Sequence, residues 1–132
     1  MTDRPFPIDF ATLDTGPKPN TFLVLPPGFQ AAGEPDLESP VFDPAPDGLL
    51  EAFKAVALSA PRTRVEREGS GQVELVQRSL VFRFPDYITA QAVSVQGGSA
   101  LCVFSRSKLG YSDLGVNAKR VTGWLEALKS RL

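Results

Sequence analysis

Residues 63–83 read T-R-V-E-R-E-G-S-G-Q-V-E-L-V-Q-R-S-L-V-F-R, and their alternation decides the fold. Apolar and polar side chains take turns on both sides of Gly69, Ser70 and Gly71, a period of two that belongs to strands flanking a glycine-rich turn. A four-residue loop there sets Arg67 opposite Glu74 and Val65 opposite Val76, whereas shorter loops put like charges or mismatched polarity face to face. The spacing therefore predicts strands over 63–68 and 73–83. C-terminal to them, the turn Phe84-Pro85-Asp86-Tyr87 leads into a third strand over 87–96. Gly97-Gly98 is a two-residue hairpin signal before a fourth over 99–107.

These registers gather Val65, Val76, Leu80, Phe82, Val93, Val95, Ala100, Cys102 and Phe104 on one face of an antiparallel meander, the face expected to carry helices. The opposite face holds Leu75, Ser79, Val81, Ala90, Ala92, Ser94, Leu101, Val103, Ser105 and Ser107, mostly small residues suited to a flat cover. N-terminal to the strands, Leu49, Leu50, Phe53, Val56 and Ala57 follow the helical period, with Pro46 or Asp47 as the start and Pro61 as the stop. C-terminal to them, Val121, Trp124, Leu125, Leu128 and Leu132 mark a second helix. Asn117 is its expected N-cap, Val116 and Val121 stand in staple positions, and Lys129 and Arg131 suit its C-terminal end. The expected fold class is α+β, a four-stranded antiparallel meander with two helices in the order α-β-β-β-β-α.

Residues 1–46 read differently. Eleven of the twelve prolines fall within residues 1–61, where they fix φ and remove donors. Only T-F-L-V-L at 21–25 suggests a strand there, at an edge. Phe22, Leu23, Leu25, Phe29, Val41 and Phe42 are too many apolar anchors for a free tail, so 1–46 is expected to be an extended arm on the face away from the helices, with 47–132 as the domain proper. The formal net charge of -1 hides an asymmetry, nine acidic against three basic residues in 1–61 and six against eleven in 62–132. Opposite charge favours the arm lying on the body, and the internal acidic competitor argues against a nucleic-acid footprint. The opening M-T-D-R-P-F-P-I-D-F has no apolar leader segment and no run approaches a spanning helix, so a cytoplasmic location is expected. An exposed edge on the first or last strand of the meander allows a monomer or a weak homodimer.

With no histidine and one cysteine, imidazole-based catalysis, His-ligated zinc, thiolate clusters and a C-x-x-C redox pair are excluded. No cofactor or metal is expected, and no phosphate-loop or dinucleotide fingerprint is present. Cys102 alternates within a core strand and reads as an inert thiol. Polar groups concentrate in S-R-S-K-L-G-Y-S-D-L-G-V-N-A-K-R at 105–120, where Gly110 and Gly115 are expected to supply positive φ. Arg78, placed by the register on the apolar face, needs a carboxylate such as Asp86 or Asp113, a route to the sheet edge, or a ligand anion. Three functional readings follow. In the leading one, Arg78, Lys108, Tyr111, Ser112, Asp113, Asn117 and Arg120 bind a polar or anionic small ligand or a protein partner without catalysis. In the second, Lys108 activates Ser112 in a hydrolase-like pair. In the third, the junction only shapes the fold, with Asp113 and Ser112 capping its turn.

Q-R-S-L-V-F-R-F-P-D-Y at 77–87 together with S-R-S-K-L-G-Y-S-D-L-G-V-N-A-K-R-V at 105–121 resembles the bacterial and plastid DUF1499 family, a domain of unknown function. The likeness covers roughly 47–132, with the arm similar to an extension of some proteobacterial members. It implies no activity, cofactor or substrate. It does imply that Asp86, Ser107, Gly110, Ser112, Asp113, Gly115, Asn117 and Arg120 matter, with Asp86, Gly110 and Gly115 as turn residues. The family pattern often has arginine where this chain has Phe104, Lys108 and Ala118.

Overall fold

The structure is a computed structural model that describes residues 4–15, 20–107 and 115–132. The elements run β1 (Thr21–Leu25), β2 (Leu37–Glu38), α1 (Pro46–Leu58), β3 (Thr63–Gly69), β4 (Gln72–Arg78), β5 (Pro85–Val95), β6 (Gly98–Ser107) and α2 (Val116–Arg131). The class is α+β, as expected. The four-stranded meander is corrected to a mixed six-stranded sheet in the order β2-β1-β6-β5-β4-β3, in which only β1 and β2 pair in parallel. The arm supplies the two extra strands. Residues 21–25 contain no proline, so β1 keeps every donor and inserts beside β6 rather than ending the sheet. β6, the last strand of the expected meander, is therefore not an edge.

The hairpin registers differ from expectation in ways that their turns explain. Ser70 and Gly71 form a two-residue turn with φ of 54° and 76°, the left-handed pair that a tight hairpin favours. That turn sets Arg67 opposite Glu74, as expected, and a bulge between Val65 and Arg67 then moves Val65 opposite Leu75, onto the other face. At the next tight turn, Val95 pairs with Gly98, so the loop residues are Gln96 and Gly97. That shift moves each pairing by two residues and leaves the faces unchanged. Gly98 has φ of 153°, and a Cβ there would lie 2.0 Å from the Phe42 carbonyl oxygen. Only glycine lets Phe42 and Ser99 bridge so closely, with both backbone bonds at 2.8 Å.

β4 stops at Arg78, five residues before its expected end. Residues 79–84 connect it to β5, with Leu80, Val81 and Phe82 68%, 74% and 73% exposed and Arg83 left-handed at φ 60°. Leu80 and Phe82 therefore form no part of the sheet face assigned to them.

The layers are exchanged relative to expectation. α1 and α2 lie on the face of Leu75, Ile88, Ala90, Leu101 and Val103, where Phe53 and Trp124 meet edge to face at 5.8 Å. The arm residues Ile8 and Phe10 cover Cys102, Val93 and Phe104 on the other face, together with Leu23 and Leu25 of β1. Backbone chemistry gives the reason. Gln72, Glu74 and Gln91 point away from the helices, and a helix has no spare backbone groups along its side to satisfy them. An extended arm does: the Ile8 amide donates to Gln72 Oε1 at 2.8 Å, and Gln72 Nε2 donates back to the Ile8 carbonyl at 2.6 Å. Among the described residues no helix is long and apolar enough to cross a membrane.

Candidate functional site

Three polar assemblies sit on this frame, two closed and one open. The first lies under the start of α2. Gly115, with φ of 80°, takes the N-cap position, so α2 begins at Val116 and Asn117 falls inside the first turn. Asn117 is thus not the expected cap. Its fully buried side chain turns inward, where Nδ2 donates to the Asn20 carbonyl at 2.9 Å and to Ser107 Oγ at 3.1 Å. One helical turn on, every nitrogen of Arg120 is engaged: Nε donates to Gln77 Oε1 at 2.6 Å, Nη1 to Asn117 Oδ1 at 2.6 Å and Ser105 Oγ at 3.1 Å, and Nη2 to Asp86 Oδ2 at 2.6 Å. Its side chain is 6% exposed and that of Asp86 17%. Asp86 is not a turn residue but the second residue of β5, opposite Gln77 and Ser107. With its charge matched by Asp86 and four of its five N–H donors bonded, Arg120 is a tie between helix and sheet, not a free anion receptor.

The second assembly is on the arm face. Glu74 is fully buried, and Arg4, Arg67 and Arg106 converge on its carboxylate with N to O distances of 3.2, 2.9 and 3.3 Å. Arg4 also lies over the Tyr87 ring at 3.5 Å, so one side chain fastens the arm to β4 and β5. Burial opposes the charge on Glu74, yet the hydrogen bonds from Arg67 and Arg4 and the charges of Arg4 and Arg106 hold its carboxyl below the ordinary carboxylate range. Burial pushes Arg106 down to about 10 against the pull of Glu74, with Arg4 and Arg67 adding to the push. Burial alone drives the Cys102 thiol up to about 12, so the single cysteine is not a nucleophile near neutral pH.

The third assembly is open. Arg78 ends β4 half-buried, opposite Pro85. With Arg62, Arg64 and Arg83 it walls a groove of about 280 Å³, floored by Val76 and Thr63. Arg62 Nε donates to the Arg78 carbonyl at 2.9 Å and Arg78 Nη1 to the Arg83 carbonyl at 3.1 Å, which knits the start of β3 to the 79–84 connection. Arg64 reaches Glu66 at 3.4 Å. Among the described residues no carboxylate pairs with Arg62, Arg78 or Arg83. Arg62, at φ 55°, and Arg83 are both left-handed, a conformation that costs a side-chain-bearing residue about 1–2 kcal/mol and that collects at binding loops.

Of the residues singled out in the sequence, Asn117 and Arg120 meet in the first assembly while Arg78 belongs to the third, on the opposite face of β4. Lys108, Gly110, Tyr111, Ser112 and Asp113 lie outside the described residues. Sequence reasoning passed over Arg62, Arg64 and Arg83. The available signal was positional, since Arg62 and Arg64 flank the start of β3, Arg78 ends the neighbouring β4 and Arg83 lies in the connection that follows it. Among the described residues no three of Cys, Asp and Glu stand together as metal ligands.

A family model described as a protein of unknown function, DUF1499, matches residues 14–128. This chain belongs to the DUF1499 family. The DUF1499 match takes in β1 and β2 as well as the later elements, so it extends N-terminally past the region that carries the sequence likeness. No curated protein and no solved structure matches the chain. Asp86, Ser107, Asn117 and Arg120, four of the positions the DUF1499 likeness marks, share the first assembly, and Gly115 turns the chain into it.

Proposed function

We propose that this DUF1499 protein is a non-catalytic binding module that takes a phosphate-bearing anion in the Arg62, Arg78 and Arg83 groove. The observation that carries the reading is the set of three guanidiniums facing one groove without a carboxylate among the described residues to neutralise them. Guanidinium charge left in mutual proximity favours an incoming anion, and its paired N–H groups suit phosphate oxygens. The sequence has no histidine, which supports binding over acid–base catalysis. In this reading the Arg120 and Glu74 assemblies are the rigid support. Gln77, held by Arg120, and Glu74 lie on either side of Val76 in the strand that presents Arg78.

Calorimetric titration with inorganic pyrophosphate tests this. Saturable binding that weakens with added salt is expected, with about a tenfold or greater loss in Arg78→Gln/Arg83→Gln, since a charge-assisted hydrogen bond contributes roughly 1.5–3 kcal/mol. Arg131→Gln, at the far end of α2, leaves the affinity unchanged. No saturable heat, or equal affinity in the double variant, overturns the reading.

A further inference from the structure

The 79–84 connection carries an apolar surface that neither core cluster absorbs. Leu80, Val81 and Phe82 are consecutive and each more than two-thirds exposed, Phe84 is half exposed, and the Phe82 and Phe84 rings stack at 5.4 Å with 17° between their planes. The base of this projection is closed. The Ser79 amide donates to the Phe84 carbonyl at 3.0 Å, the Phe84 amide to Ser79 Oγ at 2.9 Å, and Arg78 to the Arg83 carbonyl. The loop is thus a built protrusion with its apolar tip outward and the arginine groove at its foot. Residues 75–85 contain no acidic side chain.

We infer that this end of the sheet docks on an anionic lipid surface, with Leu80, Val81 and Phe82 entering the interface and a lipid phosphate occupying the arginine groove. The inference rests on the anion-binding reading above and names the source of the anion. Two features favour a bilayer over a protein. Leu80, Val81 and Phe82 form a turn, around which successive side chains point in different directions, so a protein surface would cover one side of the tip and leave the other wet. All three side chains here are exposed together, and a fluid medium that closes around the tip satisfies all of them. The charge pattern agrees, because arginines beside an apolar wedge keep their heads among phosphates while the wedge sits at the acyl boundary.

The test uses the full chain in co-sedimentation with phosphatidylcholine vesicles and with vesicles half phosphatidylglycerol, beside the pyrophosphate titration. Expected is binding to the anionic vesicles only, reduced roughly tenfold or more in Leu80→Ser/Phe82→Ser through the lost apolar transfer, while that variant binds pyrophosphate as the wild type does. Both positions are exposed, so the variant folds, and its melting curve is the control. Pyrophosphate binding without vesicle binding overturns the membrane inference and leaves the anion reading standing. Absence of both removes the two together. Vesicle binding unchanged in the loop variant shows mere Coulombic attraction and overturns the docking geometry. Saturable binding of an acidic, phenylalanine-containing peptide with no response to vesicles makes the loop a protein-docking surface instead.

Discussion

Replacing Glu74 with glutamine keeps the volume of a fully buried side chain but removes the one charge on which Arg4, Arg67 and Arg106 converge. Glu66 remains, 3.7 Å from Arg4 and partly exposed, so three guanidiniums would share one peripheral carboxylate. Breaking a buried ion cluster from one side costs about 3–5 kcal/mol, most of it the uncompensated charge left behind. For a chain of this size that corresponds to a fall in Tm of about 10–15 °C. Circular dichroism through thermal and urea unfolding measures both. Adding Arg4→Met to Glu74→Gln should destabilise less than Arg4→Met does in the wild type, because it removes a cation that no longer has its anion. The pH dependence follows from the same carboxyl. Its folded-state pKa lies below the ordinary glutamate value of 4.5, so its contribution is present above that value and is lost as pH falls through the folded one. Glu74→Gln should flatten this acid limb. A cost below about 1 kcal/mol, with an unchanged acid limb, refutes the claim that the ionised carboxylate holds arm to sheet.

Arg120→Lys should cost about 2–4 kcal/mol, since one ammonium cannot reach Gln77, Asn117, Ser105 and Asp86 together; pyrophosphate affinity should stay at the wild-type value, and a selective loss of affinity would reassign Arg120 to the site. Gly98→Ala should destabilise by about 1–3 kcal/mol by forcing Phe42 away from Ser99, read as a lower urea midpoint, with wild-type stability as the contrary result. Cys102 should resist a maleimide reagent in the folded protein and react on unfolding; rapid native labelling would show that the arm does not seal its face.

The two helices were legible because their apolar residues repeat at the helical period, and Pro46 marks the start of α1. The Arg67 to Glu74 pairing was legible from charge. What covered each face was not, because alternation sorts side chains between faces without naming the layer that lies on them. The useful clue was the polar file Gln72, Glu74 and Gln91, of which Gln72 takes both its arm contacts from the extended backbone at Ile8. The end of β4 was misread because its apolar run is exposed. Leu80, Val81 and Phe82 continue an apolar pattern that normally signals burial, but in this protein it supplies an exposed tip. The strand at 21–25 was legible, but the surrounding prolines made it read as an edge, although its five residues contain none. At the candidate site, Arg78 was picked out for a burial that it has only by half, and its partners Arg62 and Arg83 escaped notice because the turns that bring them together involve left-handed arginines that no propensity favours.

Arginine side-chain NMR of the 14.2 kDa chain during a pyrophosphate titration tests the central claim most directly. The Nε–Hε signals of Arg62, Arg78 and Arg83 should shift progressively and saturate together while that of Arg120 stays fixed in its network. Movement of the Arg120 and Asn117 signals, with Arg62, Arg78 and Arg83 silent, would contradict the account and put the binding surface at the start of α2.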